Sequence, residues 1–189
     1  EKPLRALPMS IAIFTVFVFF GTLYAHRYHE RDLALYAKPA SSRTLTFAGW
    51  LNGEWKGLPA ARSEFRGERE EPFSVQWAAT ADVVRAALED AHWRAPAAWE
   101  SGATLLWLVP TTPIDQLPVL PKFHQGQPPA HTFVRAVDPR HRDVIRLWRV
   151  ASLDKPDDPA NPLPLWAGVV TTERARTEFG LVTSARTTK

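Results

Sequence analysis

Between Arg5 and His26 the chain carries no charged residue. The run Ala6–Ala25 is about 20 residues of mostly Ile, Phe, Val and Leu, the helix length that crosses a bilayer core. Phe14, Phe17, Phe19 and Phe20 project around the whole helix, so no face is polar. A helix apolar on every side is a membrane span or a buried core helix. The flanks favour the membrane. Pro3 and Pro8 stand in the opening turns, where a missing N–H costs little. Tyr24 and Tyr28 close the run beside His26, Arg27, His29 and Arg31, which reads as an interfacial belt. Leu23-Tyr24-Ala25 is a poor small-x-small cleavage site, so an uncut anchor is expected rather than a removed signal peptide. Basic residues lie on both sides of the run and are opposed by acids on both, so they do not fix its orientation. His26 and His29 have a spacing that can share a metal, but Arg27 and Arg31 would repel a cation. No metal and no cofactor is expected.

The rest of the chain suits one compact domain. Apolar residues make up 45% and charged residues 23% of the 189, which excludes a mainly disordered chain. There is no Cys, which excludes a disulfide framework, a thiolate metal site and a Cys nucleophile. Lys and Arg number 23 against 20 Asp and Glu, a net +3 too small and too evenly spread for a nucleic-acid partner. The expected organisation is an anchor over 1–25, a linker over 26–45, a folded domain over 46–185 and a tail over 186–189.

Within that domain, Trp50, Leu51 and Trp55 approximate one helical face. Arg62–Glu71 is highly charged and contains Gly67, so it reads as a surface loop. Phe73, Val75 and Trp77 alternate onto one face of a strand over 72–78. Thr80 is an N-cap candidate for an amphipathic helix ending at Ala91, with Val84, Ala87, Leu88 and Ala91 on its apolar face. Ser101 opens a short segment to Leu108 that is either a helix or a strand. Pro118–Gly126 is a stiff loop. Strands follow over 132–137, 143–150 and 165–172, with a turn at Asp138–His141 and a long exposed connection over 154–164. Phe179–Ala185 adds an edge strand. Alternation puts Val144, Arg146, Trp148 and Val150 on one strand face and Ile145, Leu147 and Arg149 on the other. The expected fold class is α+β: one N-terminal transmembrane helix, then a single domain in which two helices pack on a mostly antiparallel sheet.

The soluble part resembles the LssY C-terminal domain family. The matching residues run in order: Leu58-Pro59-x-x-Arg62 with Gly67, Pro72-Phe73-x-Val75-Gln76-Trp77-Ala78, Trp93, Leu117-Pro118-Val119-Leu120-Pro121-Lys122-x-His124-x-Gly126, Arg146-Leu147-Trp148, and Pro164-Leu165-Trp166-x-Gly168. They cover about residues 50–175. One departure falls at His92, where Gly is expected before the tryptophan, a position suited to a left-handed helix C-cap. Members often follow a membrane region of the DedA type or a lipid-phosphate phosphatase. The resemblance therefore implies a membrane-tethered accessory domain and no reaction, because the phosphatase motifs are absent from this chain. By the same analogy the domain is expected on the periplasmic face of a bacterial inner membrane.

The best cluster for binding chemistry is Lys122, His124 and Arg146, whose cations and imidazole suit a phosphate or carboxylate. The competing expectation is structural: prolines stiffen a crossover, Phe123 packs down and His124 caps a backbone carbonyl. Open volume beside the loop would favour binding; a buried His124 bonded to backbone would favour structure. Ser63, Ser74, Ser101, Ser152 and Ser184 lie in no Gly-x-Ser-x-Gly elbow, and Asp138, Asp143, Glu64 and Glu68 are scattered in charged stretches. No catalytic residue is assigned. Among the tryptophans, Trp77, Trp148 and Trp166 lie among apolar strand residues and are expected in the core. Trp55, Trp93 and Trp99 flank prolines or charges and are expected at the surface, as contacts to a partner. The function expected is a non-catalytic accessory domain on a larger membrane protein complex or a fused membrane enzyme. The alternative is head-group binding or processing of a lipid or envelope precursor at the Lys122 loop.

Overall fold

The computed structural model describes residues 6–36, 43–64, 67–155, 158, 160–178 and 182–188; at 6–11, 25, 29–36, 101 and 104 the description is of the backbone only. The chain forms two units, Glu1–Lys38 and Pro39–Lys189. The described residues of the first form one helix, α1 (Ala6–Tyr36), 31 residues long. It runs eleven residues beyond Ala25, over ground expected to be linker. The physical reason is that His26–Tyr36 holds neither Gly nor Pro; the next proline is Pro39. Phe14, Phe17, Phe19, Phe20 and Tyr24 are 59–75% exposed. Among the described residues no helix is long and apolar enough to cross a membrane. The described side chains of the apolar run, residues 12–24, amount to about 20 Å of helix, against about 30 Å of bilayer core. The side chains of His29 and Arg31 lie outside the described residues.

The second unit is α+β. Its strands are β1 (Thr44–Thr46), β2 (Ala61–Ser63), β3 (Arg69–Pro72), β4 (Val75–Ala78), β5 (His131–Asp138), β6 (His141–Asp154), β7 (Leu163–Glu178) and β8 (Val182–Thr187). Two long strands, β6 and β7, form the spine of the main sheet. β5 and β1 flank β6, and β4 and β8 flank β7. All these pairings are antiparallel except β1 with β6. Gly168 lies mid-sheet between Val75 and Leu147 because a Cβ there would meet Leu147 Cδ2 at 2.4 Å and the Arg146 carbonyl oxygen at 3.1 Å.

The stretch over 62–71 is not a loop. β2 and β3 make a separate antiparallel hairpin, turned at Gly67 (φ 81°). The expected edge strand is shifted: Phe179–Leu181 lie outside the described residues, and β8 includes Arg186 and Thr187, which had been assigned to a tail. Among the described helices of this unit, α3 (Ala81–Asp90) is the one long enough to present an amphipathic face, burying Val84 and Leu88. Thr80 has the extended backbone of an N-cap, but its side chain caps nothing. α2 (Phe47–Leu51) and α4 (Ser101–Leu105) are single turns, α4 running into a 3₁₀ turn at Leu106–Leu108, so that segment is helical. The Ser101 side chain lies outside the described residues.

The two faces of the sheet are covered differently. Val84 and Leu88 of α3 pack with Trp93, Phe133, Ile145, Leu147 and Trp166. The opposite face, with Val134 and Val144 on Val119, lies under the proline-rich segment that leads to β5. That second face holds the candidate polar groups.

Candidate functional site

His124 starts a two-residue turn. Gln125 (φ 51°) and Gly126 (φ 80°) both adopt left-handed backbone, and the His124 and Gln127 backbones exchange hydrogen bonds of 2.9 Å. This is the type I′ geometry of a tight hairpin. The tip docks on β2: Gln125 N–H donates to Ser63 O, and Ser63 N–H donates to His124 Nδ1 at 3.1 Å. The ring is 6% exposed, against Phe73 and Trp148. An acceptor at Nδ1 requires a neutral ring with its proton on Nε2. Burial, then the nearby Arg62 charge, pushes the His124 pKa below 6.5, which agrees with that tautomer. The ring thus accepts from a backbone N–H, where the structural expectation had it donating to a carbonyl.

Beside it lies an ion network no sequence pattern announced. Arg62 is 3% exposed and donates to Glu71 Oε2 at 2.7 Å, to the Phe123 carbonyl at 2.7 Å and to Glu64 Oε1 at 3.3 Å. Lys122 bonds the other carboxylate oxygen of Glu71. Burial opposes ionisation of Glu71, but the Lys122 and Arg62 hydrogen bonds together outweigh it and hold the carboxyl at about 2.

Arg146 lies in a different group. Arg142, Arg146 and Glu173 are 0%, 1% and 4% exposed. Arg142 donates through Nε and Nη2 to Glu173 Oε2, through Nη1 to the Ile114 and Leu117 carbonyls, and through Nη2 to the Pro118 carbonyl. Its five N–H groups match five acceptor contacts. Arg146 donates through Nη2 to Glu173 Oε1 at 2.7 Å and to the Leu120 carbonyl at 3.3 Å, and through Nη1 to Thr171 Oγ1 at 3.3 Å. Its Nε–H has no acceptor.

The three candidate ligand groups are therefore not one site. Lys122 and His124 belong to the Arg62 network, and Arg146 to the Glu173 network. The residues missed from sequence are Arg62, Glu71, Arg142 and Glu173. A signal existed for two of them: Arg62 stands in the family-matching motif, and Arg142 shares a strand face with Val144 and Trp148; the pairing of Arg142 with Glu173 shows only in the sheet register.

The tryptophans divide as well. Trp93, expected at the surface, is 9% exposed in the core, with Arg135 stacked 4.8 Å over its ring. The backbone reversal at His92 turns it inward. Trp99 is 53% exposed and donates from Nε1 to the Val119 carbonyl at 3.0 Å. Trp55 is 44% exposed. It borders a groove of about 400 Å³ with Trp50, Leu51, Phe73 and Gln76. Among the described residues no three His, Asp or Glu side chains converge as a metal would require.

No curated protein and no solved structure shows significant similarity to the chain. A family model does, that of the LssY C-terminus, over residues 55–184. That match spans the Arg62 network, the proline-rich segment, both long strands and the first half of β8. The chain belongs to the LssY C-terminal domain family.

Proposed function

We propose that this chain is a non-catalytic, membrane-anchored interaction domain. In this reading α1 holds it in a bacterial inner membrane, and the α+β unit packs, on the periplasmic side, against the extramembrane face of a larger membrane protein complex or a fused membrane enzyme. One observation carries the reading: the polar groups best suited to chemistry are bonded inside the domain, whereas two large apolar side chains that line the groove, Leu51 and Trp55, stay exposed. His124 accepts from Ser63, Lys122 is bound to Glu71 and Arg146 to Glu173. Leu51 and Trp55 remain 63% and 44% exposed. Exposed aromatic and aliphatic anchors beside a groove are what a protein partner uses. The anchor raises the local concentration of the domain at that partner. The uncharged run Ala6–Ala25 supports the anchor.

A photo-crosslinker placed at position 55 in native membranes tests the reading. Cross-linking to one distinct membrane protein, suppressed by Leu51→Asp, is expected. Cross-linking to lipid alone, or to nothing, overturns it.

A further inference from the structure

β4 lies at an edge of the main sheet: among the described residues it pairs with β7 alone. The pairing fixes which way its backbone points. Ala79 N–H donates to the Pro164 carbonyl at 3.2 Å. Hydrogen-bonded pairs alternate along an antiparallel ladder. Trp77 and Val75 therefore bond to Trp166 and Gly168, and the Gln76 and Ala78 backbones point away from β7. Among the described residues, no group bonds to the N–H or carbonyl of either. The Gln76 side chain, by contrast, accepts from Trp50 Nε1 at 3.0 Å. Two other edge strands carry charge: Arg135 and Asp138 on β5, Arg186 on β8. Charge on an edge discourages pairing with another chain. β4, Val75-Gln76-Trp77-Ala78, holds neither a charge nor a proline.

The groove beside Trp55 follows this edge. Phe73, Ser74, Val75 and Gln76 line it together. Successive strand residues point to opposite faces, so four in a row mark an edge and not a face. The rest of the lining is Trp50, Leu51 and Trp55. An occupant must therefore meet two demands. The outward N–H and carbonyl groups of Gln76 and Ala78 match the backbone of another strand, which presents the same alternation. The apolar lining matches apolar side chains at every second position. A lipid chain would cover the tryptophans but leave those backbone groups unpaired.

We propose that the partner docks by strand addition: an extended, apolar segment of the partner protein pairs with Gln76 and Ala78 of β4, and every second side chain enters the groove against Trp50, Leu51 and Trp55. The inference rests on the interaction reading above and names its mode of recognition. So short an edge binds weakly by itself, and the local concentration supplied by the anchor compensates.

The test uses the full chain in native membranes, with the photo-crosslinker at position 55. Ala78→Pro removes one outward N–H and no bond to β7, a placement at which edge strands tolerate proline. It is expected to keep the circular dichroism of the parent chain and to weaken the cross-link to the partner at least tenfold. Ala78→Val adds comparable bulk but keeps the N–H, and is expected to change cross-linking less than twofold. Independently, the Gln76 and Ala78 amides are expected to exchange at least tenfold more slowly in the extracted assembly than in the Leu51→Asp chain, read by residue-resolved mass spectrometry. Should Ala78→Pro fail to fold, the exchange rates decide the question. A partner cross-link that survives in folded Ala78→Pro, equal loss in Ala78→Val, or unprotected amides in the assembly overturns strand addition and leaves docking by side chains alone. No cross-link in the parent chain overturns both readings, and a cross-link to a second copy of this chain overturns the assignment of the occupant to another protein.

Discussion

His92 occupies the left-handed position at the end of α3 (φ 63°). Its N–H donates to Glu89 O and the Trp93 N–H donates to Leu88 O, both at 2.9 Å. These two bonds define a Schellman cap, completed by the contact between Trp93 and Leu88 in the core. A side chain with a Cβ pays about 1–2 kcal/mol for this conformation, part of which Gly loses again through the unfolded chain. His92→Gly is therefore expected to raise stability by about 1 kcal/mol, read from denaturant midpoints at unchanged slope. The position was legible in sequence, since Gly was expected there; the backbone keeps the reversal although the residue departs. At His124 and Glu71 the same scale predicts pH dependence. Burial and Arg62 lower the His124 pKa below 6.5, so its stabilising contribution is full above pH 6.5 and is lost as pH falls toward the folded value. His131 shifts the same way, for burial first and Arg85 second. Glu71 falls from 4.5 to about 2, so its contribution is full above pH 4.5 and fades between 4.5 and about 2. His124→Asn keeps an acceptor for Ser63 without titrating, and is expected to shrink the loss below pH 6.5. Lys122→Ala raises the Glu71 pKa and shrinks the more acidic step. Acid titrations followed by circular dichroism check both.

At the scale of elements, α3 was readable because it has one buried face and a single period, and the strands because apolar β-branched and aromatic runs end at turn residues, although β6 is buried on both faces. Val144, Arg146, Trp148 and Val150 do share a face, as alternation requires. The β2–β3 hairpin was not readable. Its charges look like a solvated surface, and Arg62 is buried only because Glu71 and the carbonyl of Phe123, far along the chain, converge on it. The end of α1 was not readable for a simpler reason: His26–Tyr36 is charged like a linker, yet it holds no Gly or Pro to stop the helix. Removing Arg62 would leave Glu71 to Lys122 alone and strip the Phe123 carbonyl of its donor. Arg62→Ala is expected to cost about 1–3 kcal/mol and to release the His124 tip, seen as faster hydrogen exchange at Ser63 and Gln125. Gly168→Ala inserts a methyl between Leu147 and the Arg146 backbone and is expected to cost about 1–3 kcal/mol. An unchanged melting curve in either variant would contradict the packing described.

At the scale of the whole molecule, the sequence pointed to the family and the α+β class but joined into one site residues that the structure separates. Lys122, His124 and Arg146 group on paper because their cations and imidazole suit one anion. That segment instead docks on two separate ion networks, one centred on Arg62 and one on Glu173. What the proposed interaction reading gains from this is economy of polar groups: the domain commits them to holding its own cover in place and leaves apolar anchors outside. The most direct test is native mass spectrometry after mild-detergent extraction from native membranes. The account predicts a stoichiometric assembly larger than the 21.3 kDa chain, lost in Leu51→Asp. Recovery of the chain alone, under conditions that keep other membrane complexes intact, would contradict it.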